Sequence, residues 1–207
     1  MPLLPELTLI VAATNKMGIG MAGELPWTGL KKEMSFFSRV TRAAGPGACG
    51  LPLPTINAVI MGRTTWESIP SRFRPLKERR NIILSRHPDA LSGTTSSALV
   101  VKSLQEALVA ADGCARIFVI GGAQTYAAAL ALSSTTRILF TRILAPFDCD
   151  THFPLDLGEE GSSAEGWSRT PQVDWQRWTG EADAATLQSE NGTPYVFEMW
   201  EKRIQSV

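Results

Sequence analysis

Histidine and cysteine are scarce in this chain of 207 residues, with only His87 and His152 of the one and Cys49, Cys114 and Cys149 of the other. The two histidines stand too far apart for a His-rich metal site, and no CxxC pair is present to hold zinc. An odd number of dispersed cysteines argues against a disulfide framework and for free thiols in a reducing compartment. A net charge of either sign is also missing. Twenty Lys and Arg balance twenty Asp and Glu, so the total gives no reason to expect nucleic acid or an anionic membrane as partner. Residues 1–6 carry no basic stretch, and the apolar run that follows is too short to span a bilayer. The expected location is the cytoplasm. Walker lysine, GxSxG and HExxH motifs are absent.

What remains is a globular composition, 44% hydrophobic and 19% charged, at a length that suits one large domain over residues 1–207. Apolar, β-branched runs at 7–13, 56–61, 81–85, 98–101, 116–120 and 137–143 read as strands. Helical patterns fall between them: a stripe of Leu30, Met34, Phe37 and Val40, a short helix after Gly62 that Thr64 or Thr65 could cap, residues 103–111, and residues 123–132. Ser103 and Glu106 have capping-box spacing. This alternation predicts an α/β fold with a largely parallel sheet. Beyond residue 144 it stops. Residues 167–178 and 195–202 have strand character, 158–166 and 180–192 read as polar loops, and an antiparallel hairpin is expected at the end of the sheet. Residues 43–55 and 156–193 read as surface insertions, the first rich in Gly and Pro.

Three strand ends carry chemistry. Gly18, Gly20 and Gly23 match the dinucleotide fingerprint in spacing, but Pro26 and Trp27 follow where that fingerprint needs a helix. A Gly-rich loop over a pocket fits better. Residues 62–86 hold seven bases and two acids, a local balance of +5, with Arg63 and Arg86 directly after strands, where open α/β sheets bind ligands. Gly121 and Gly122 precede a helix whose bare amides could meet a phosphate, although a plain tight turn is an equal reading. Residues 156–190 hold eight acids and two bases, and these acidic loops are expected away from the site. Glu33 borders the apolar stripe, and helical spacing alone favours a surface position for it.

In order along the chain stand Ile10-Val11-Ala12, Met17-Gly18-Ile19-Gly20, Leu25-Pro26-Trp27, Leu30 to Glu33, Val59-Ile60-Met61-Gly62-Arg63, Thr65-Trp66, Ser68-Ile69-Pro70 and Arg74-Pro75-Leu76-Lys77 with Arg79. Asn81 to Arg86, Ile120-Gly121-Gly122, Tyr126, Phe140-Thr141-Arg142-Ile143, Asp150-Thr151, Phe153-Pro154 and Phe197-Glu198 complete the series. With these motifs the chain resembles the dihydrofolate reductases from residue 7 to its end, and its insertions point to a eukaryotic, fungus-like member. The resemblance implies an eight-stranded mixed, mostly parallel sheet with flanking helices and an antiparallel C-terminal strand. It also implies NADPH-dependent reduction of 7,8-dihydrofolate to tetrahydrofolate, in support of one-carbon metabolism and of thymidylate, purine and amino-acid synthesis.

By the same resemblance Glu33 becomes the pterin-binding carboxylate, supported by Thr141, which reverses the surface reading. Leu25 and Trp27 join these two in the catalytic set, as parts of a loop that closes over the pocket. Ile10, Val11, Ala12, Met34, Phe37, Ile120 and Tyr126 would line the pterin site; Met34 stands where many eukaryotic members have Phe. Ile69 and Leu76 would pack on the aminobenzoyl ring, and Arg79 would pair with the tail carboxylate. Around NADPH, Arg63, Leu84, Ser85, Arg86 and Lys102 would surround the 2′-phosphate and adenosine. Gly62, Thr64, Thr65, Gly121, Gly122, Ala123, Gln124, Thr125 and Tyr126 would meet the pyrophosphate side, and Ala12, Ile19, Gly20 and Ile120 the nicotinamide. The Gly121–Gly122 bond is implied to be cis, and no metal is implied. Expected partners are dihydrofolate, weakly folate, and antifolates of the methotrexate, trimethoprim or pyrimethamine class. The resemblance also implies a monomer with no need of nucleic acid or membrane. A related pterin or pyrimidine reductase should lack the pairing of Glu33 with Arg79, and a folate carrier or RNA-binding regulator would not need the complete set of site motifs.

Overall fold

In the computed structural model, which describes residues 6–43, 56–87, 91, 97–158, 164, 166–182 and 186–203, the expected alternation of strands and helices is realised. In chain order the elements are β1 (Leu7–Thr14), β2 (Gly18–Gly20), α1 (Lys31–Arg42), β3 (Asn57–Gly62), α2 (Arg63–Ser68), β4 (Arg79–Leu84) and β5 (Ala98–Val101). There follow α3 (Leu104–Ala110), β6 (Ile117–Val119), α4 (Ala123–Leu130), β7 (Thr135–Ile143) and β8 (Thr151–His152). The chain ends with β9 (Trp167–Arg169), α5 (Gln172–Thr179), β10 (Gln188–Glu190) and β11 (Thr193–Lys202). Most of the 43–55 insertion lies outside the described residues.

Eight strands run in the order β10-β11-β7-β1-β6-β3-β4-β5. From β7 to β5 all neighbours are parallel, while β11 runs antiparallel to β7 and β10 antiparallel to β11. Short β9 shares the outer edge of β11 with β10. This is the expected mixed sheet with its antiparallel C-terminal strand.

The two-residue period of β1 divides the core into two layers. Leu7, Leu9, Val11 and Ala13 face Leu104, Leu108, Tyr126 and Ala129 from α3 and α4. Ile10 points the other way, into a layer with Leu30 at the N-cap of α1, Phe36 and Val40 of that helix and Trp175 of α5. Both faces of the sheet are therefore covered, which explains the unbroken apolar runs of its central strands.

Five sequence expectations need correction. The 167–178 segment is a strand only at β9; Pro171 opens α5, Gly180 closes it in the left-handed region (φ 76°), and Trp175 and Thr179 are buried one turn apart. The 180–192 loop contains β10, joined to β11 through Asn191 (φ 47°) and Gly192 (φ 75°), the positive-φ pair that a tight hairpin needs. The Gly-rich loop is partly ordered as β2, paired with β8, and neither Thr64 nor Thr65 caps α2, whose N-cap is Gly62 with no side-chain bond. Finally, the buried stripe of α1 is Glu33, Phe36, Val40 and Thr41, with Met34 exposed. The helix is rotated because Phe36 stacks on Trp175 at 5.3 Å and meets Phe197 at a tilt at 4.3 Å, aromatic partners from the distant end of the chain.

Candidate active site

Glu33 lies in the first turn of α1 and is buried, 7% exposed. Thr141 on β7 donates its hydroxyl to Glu33 Oε1 at 3.1 Å. Register places Thr141 beside Ala12 of β1. Burial pushes the Glu33 carboxyl up to about 7, the Thr141 bond opposes the rise, and the nearby Glu190 charge adds to it. This is an acid held at the edge of ionisation at neutral pH.

Around it the expected pterin-site residues fall into two groups. Ile10 and Val11 are buried, Ala12, Phe37 and Ile120 are half-buried, and Tyr126 is buried with its hydroxyl donated to the Ile10 carbonyl at 2.7 Å. Met34 and Leu25 lie in the open, each about half exposed. Trp27, two residues beyond Leu25, is 4% exposed and packs edge-on to Phe147 at 5.8 Å. One end of the loop is thus anchored while Leu25 faces solvent. The loop is also tied to the β8 region: the Ala22 N–H donates to Asp150 Oδ2 at 2.8 Å and the Asp150 N–H to the Gly20 carbonyl at 3.0 Å.

Arg79 at the start of β4 is half-buried. Its Nη1 donates to Thr41 Oγ1 at 2.7 Å, its Nε to the Lys77 carbonyl at 3.0 Å, and the guanidinium sits 6.0 Å from the Phe37 ring. Burial, reinforced by Arg42, lowers its pKa to about 10, so it remains charged at neutral pH; among the described residues no carboxylate forms an ion pair with it. Buried Asn81 shapes the adjoining chain through bonds to both Leu76 backbone groups and to the Arg79 carbonyl. Ile69 and Leu76 pack half-buried against the same layer as Phe37.

The C-terminal ends of β3 and β6 meet where the Gly62 N–H donates to the Gly121 carbonyl at 2.8 Å. The Gly121–Gly122 bond is cis, and Gly121 has φ 125°. Two helices start here, α2 after Gly62 and α4 after Gly122, and neither has a side-chain cap bond. Their first amides, from Thr64 and Thr65 and from Ala123 and Gln124, lack helical acceptors and are left for a ligand or solvent. The space is tight: a Cβ on Gly121 or Gly122 would come within 3.2 or 3.3 Å of Thr65 Oγ1, and one on Gly62 within 3.0 Å of Thr125 Oγ1. Leu84 ends β4, buried Ser85 and exposed Arg86 follow it, and exposed Lys102 follows β5. Arg63 is exposed and pairs with Glu67 at 3.0 Å. Ile19 and Gly20 of β2 are half-buried.

The basic segment is not one patch. Arg80 points away to the end of α3, donating to the Ala110 and Asp112 carbonyls. Nor do all the acidic loops avoid the site. Glu190 lies against the first turn of α1, and its carboxylate accepts from the Lys32 N–H at 2.8 and 2.9 Å and the Glu33 N–H at 3.3 Å. Sequence reasoning missed Glu190; the Asn191-Gly192 pair before an apolar run was a hairpin signal, but nothing local indicated where the hairpin would dock.

No helix among the described residues is long and apolar enough to cross a membrane. A family model for dihydrofolate reductase matches residues 6–160. The chain is 39% identical to the dihydrofolate reductase of Cryptococcus neoformans, with 95% of this chain and 94% of that protein covered. It is 40% identical to that of Pneumocystis carinii, with 94% and 96% covered. The solved structure of Schistosoma mansoni dihydrofolate reductase superposes with a TM-score of 0.74 at 35% identity, covering 96% of this chain and 99% of that one. A mixed sheet with an acid and a threonine facing each other beside its central strand, uncapped helix starts at the strand ends and this sequence likeness agree: the chain belongs to the dihydrofolate reductase family.

Proposed function

We propose that this chain, acting as a single domain, reduces 7,8-dihydrofolate to 5,6,7,8-tetrahydrofolate with NADPH. The observation that carries the reading is the buried Glu33–Thr141 pair beside Ala12 of the central strand. A carboxylate there can accept from the 2-amino group and N3–H of a pterin in a bidentate pair, and its apolar surroundings strengthen both bonds.

The cofactor side fits a dinucleotide. The uncapped starts of α2 and α4 offer amides to a pyrophosphate, and glycine at 62 and 121 lets the Thr125 and Thr65 hydroxyls pack close against the junction between them. Arg63 and Arg86 favour the phosphorylated form, with Lys102 as a third cation near the strand ends. NADPH, when bound, supplies the hydride to C6.

The protein's own groups bind, orient and exclude water. Arg79, held by Thr41 and Lys77, presents a preset guanidinium to the tail carboxylate. Trp27 anchors the loop whose exposed Leu25 can close over the pocket and keep bulk water from the reacting carbons. Glu33 is not beside N5 in this assignment, so a water admitted near residues 18–27 delivers the N5 proton. The proton shared between Glu33 and the pterin ring keeps N5 basic enough to accept it, and turnover falls once that proton is lost at higher pH. Family membership supports antifolates of the methotrexate, trimethoprim and pyrimethamine class as competitors for the pterin site, and a cytoplasmic monomer as the working form.

The test is NADPH absorbance with and without dihydrofolate. The reading predicts consumption only with both present; a folate carrier would bind both and consume neither.

A further inference from the structure

The first turn of α1 lacks a local cap. Leu30 occupies the N-cap position with no side-chain bond to the helix, although a Ser, Thr, Asp or Asn normally serves the N–H groups at the second and third positions. Those are the N–H groups of Lys32 and Glu33, and Glu190 accepts from both across more than 150 residues of sequence. The rest of the hairpin joins in. Tyr195 donates its hydroxyl to Glu190 Oε2 at 2.6 Å, Lys32 Nζ donates to Gln188 Oε1, and Asn191 Nδ2 donates to the Thr28 carbonyl at 3.3 Å. Gly29 leaves room for that contact, since a Cβ there would lie 3.0 Å from Asn191 Nδ2.

We propose that Glu190 is a positioning residue for the reaction: from the C-terminal hairpin it seats the first turn of α1 and sets the electrostatic surroundings of Glu33. The inference rests on Glu33 being the pterin-binding acid.

The physical basis is a competition at the helix start. The positive end of α1 favours an ionised Glu33 in its first turn. Glu190 sits on the same amides, opposes that field and adds a like charge, which supplements burial in making Glu33 hold its proton to higher pH. Against the desolvation that would raise it, the bonds from Tyr195, Lys32 and Glu33 keep the Glu190 carboxyl below its ordinary value, so Glu190 is charged over the working range. Among the described residues the other titratable groups coupled to Glu33 are Tyr126 of α4 and Tyr195 of β11. Burial, together with the charge of Glu33 on Tyr126 and hydrogen bonding to Glu190 at Tyr195, pushes both upward, and they stay neutral. On α1 itself Lys31 and Lys32 are exposed, with the Lys32 ammonium turned to Gln188.

The experiment compares wild type with Glu190→Gln, which keeps an acceptor for the amides and loses the charge, and with Glu190→Asp, which keeps the charge. Two readouts are taken: the Glu33 carboxyl titration by carbon-13 NMR of the apoprotein, and the pH profile of dihydrofolate turnover. In Glu190→Gln the Glu33 titration and the falling limb of the turnover profile should both move to lower pH, by about half a unit or more, with Glu190→Asp closer to wild type. A Glu33 titration unmoved in Glu190→Gln overturns the proposal and leaves dihydrofolate reduction standing. A Glu33→Ala control that turns over normally overturns the parent reading instead, and the proposal's catalytic part with it.

Discussion

The hydroxyl of Thr141 meets the carboxylate of Glu33 at 3.1 Å, a bond between β7 and α1 that spans 108 residues. It opposes the effect of burial: desolvation raises the Glu33 pKa and the Thr141 bond lowers it. Thr141→Val removes the bond and retains the volume. The Glu33 titration should then move above its present value near 7, and the KM for dihydrofolate should rise about 5- to 10-fold, the worth of one hydrogen bond of about 1 to 1.5 kcal/mol. Steady-state kinetics over pH checks both, and an unchanged KM with an unchanged profile contradicts the assigned support.

A buried acid also makes stability depend on pH. The folded protein binds the Glu33 proton more tightly than an unfolded chain does, so this group's contribution is complete below its ordinary pKa of 4.5 and lost as pH rises to about 7. The difference amounts to about 3 kcal/mol. Glu33→Gln cannot ionise and should exceed wild type in Tm by several degrees at pH 8, with the gap closing toward pH 5. Thermal melts of the ligand-free proteins at the two pH values decide it, and equal melting at both would show that Glu33 ionises without penalty.

Arg79 stands preset by Thr41 and the Lys77 carbonyl, with no carboxylate paired to it among the described residues. Arg79→Leu should weaken folate binding by about 2 to 5 kcal/mol, the cost of leaving a charged partner unpaired. A pterin without the glutamate tail should bind both proteins alike. Calorimetric titration with the two ligands is the check, and an equal loss for both would remove Arg79 from tail recognition.

Arg63 and Arg86 follow β3 and β4 at the ligand edge of the sheet, both exposed. Replacing both with Ala should lower NADPH affinity about 10- to 100-fold, one to two charged bonds' worth, and leave NADH nearly unaffected. Competition fluorescence with both nucleotides measures the ratio. A preserved preference for NADPH would assign the 2′-phosphate to other groups.

Legibility in the sequence followed the range of the interactions. The central strands were readable because burial on both faces leaves an apolar run, and α3 because Ser103 Oγ accepts from the Glu106 N–H within one turn, at 3.2 Å. The first turn of α1 was not. Helical spacing assigned Met34 to the core and Glu33 to the surface, whereas packing of Phe36 against Trp175 and Phe197 reverses the two. Only the family resemblance placed Glu33 in the site. Helix α5 was hidden because its buried positions, Trp175 and Thr179, sit in a segment whose tryptophans also suit a strand. Glu190 was out of reach because its partners lie on a different element more than 150 residues earlier.

The central claim is that Glu33 binds the pterin and governs its protonation while taking no part in cofactor binding. Turnover of dihydrofolate by wild type and Glu33→Ala across pH 5 to 9, with NADPH affinity measured on the same samples, tests it most directly. The account predicts wild-type turnover that falls as pH rises through neutrality, a loss of about 100-fold or more at pH 7 in Glu33→Ala, and near-equal NADPH affinity. A variant that keeps wild-type turnover and pH dependence would contradict it.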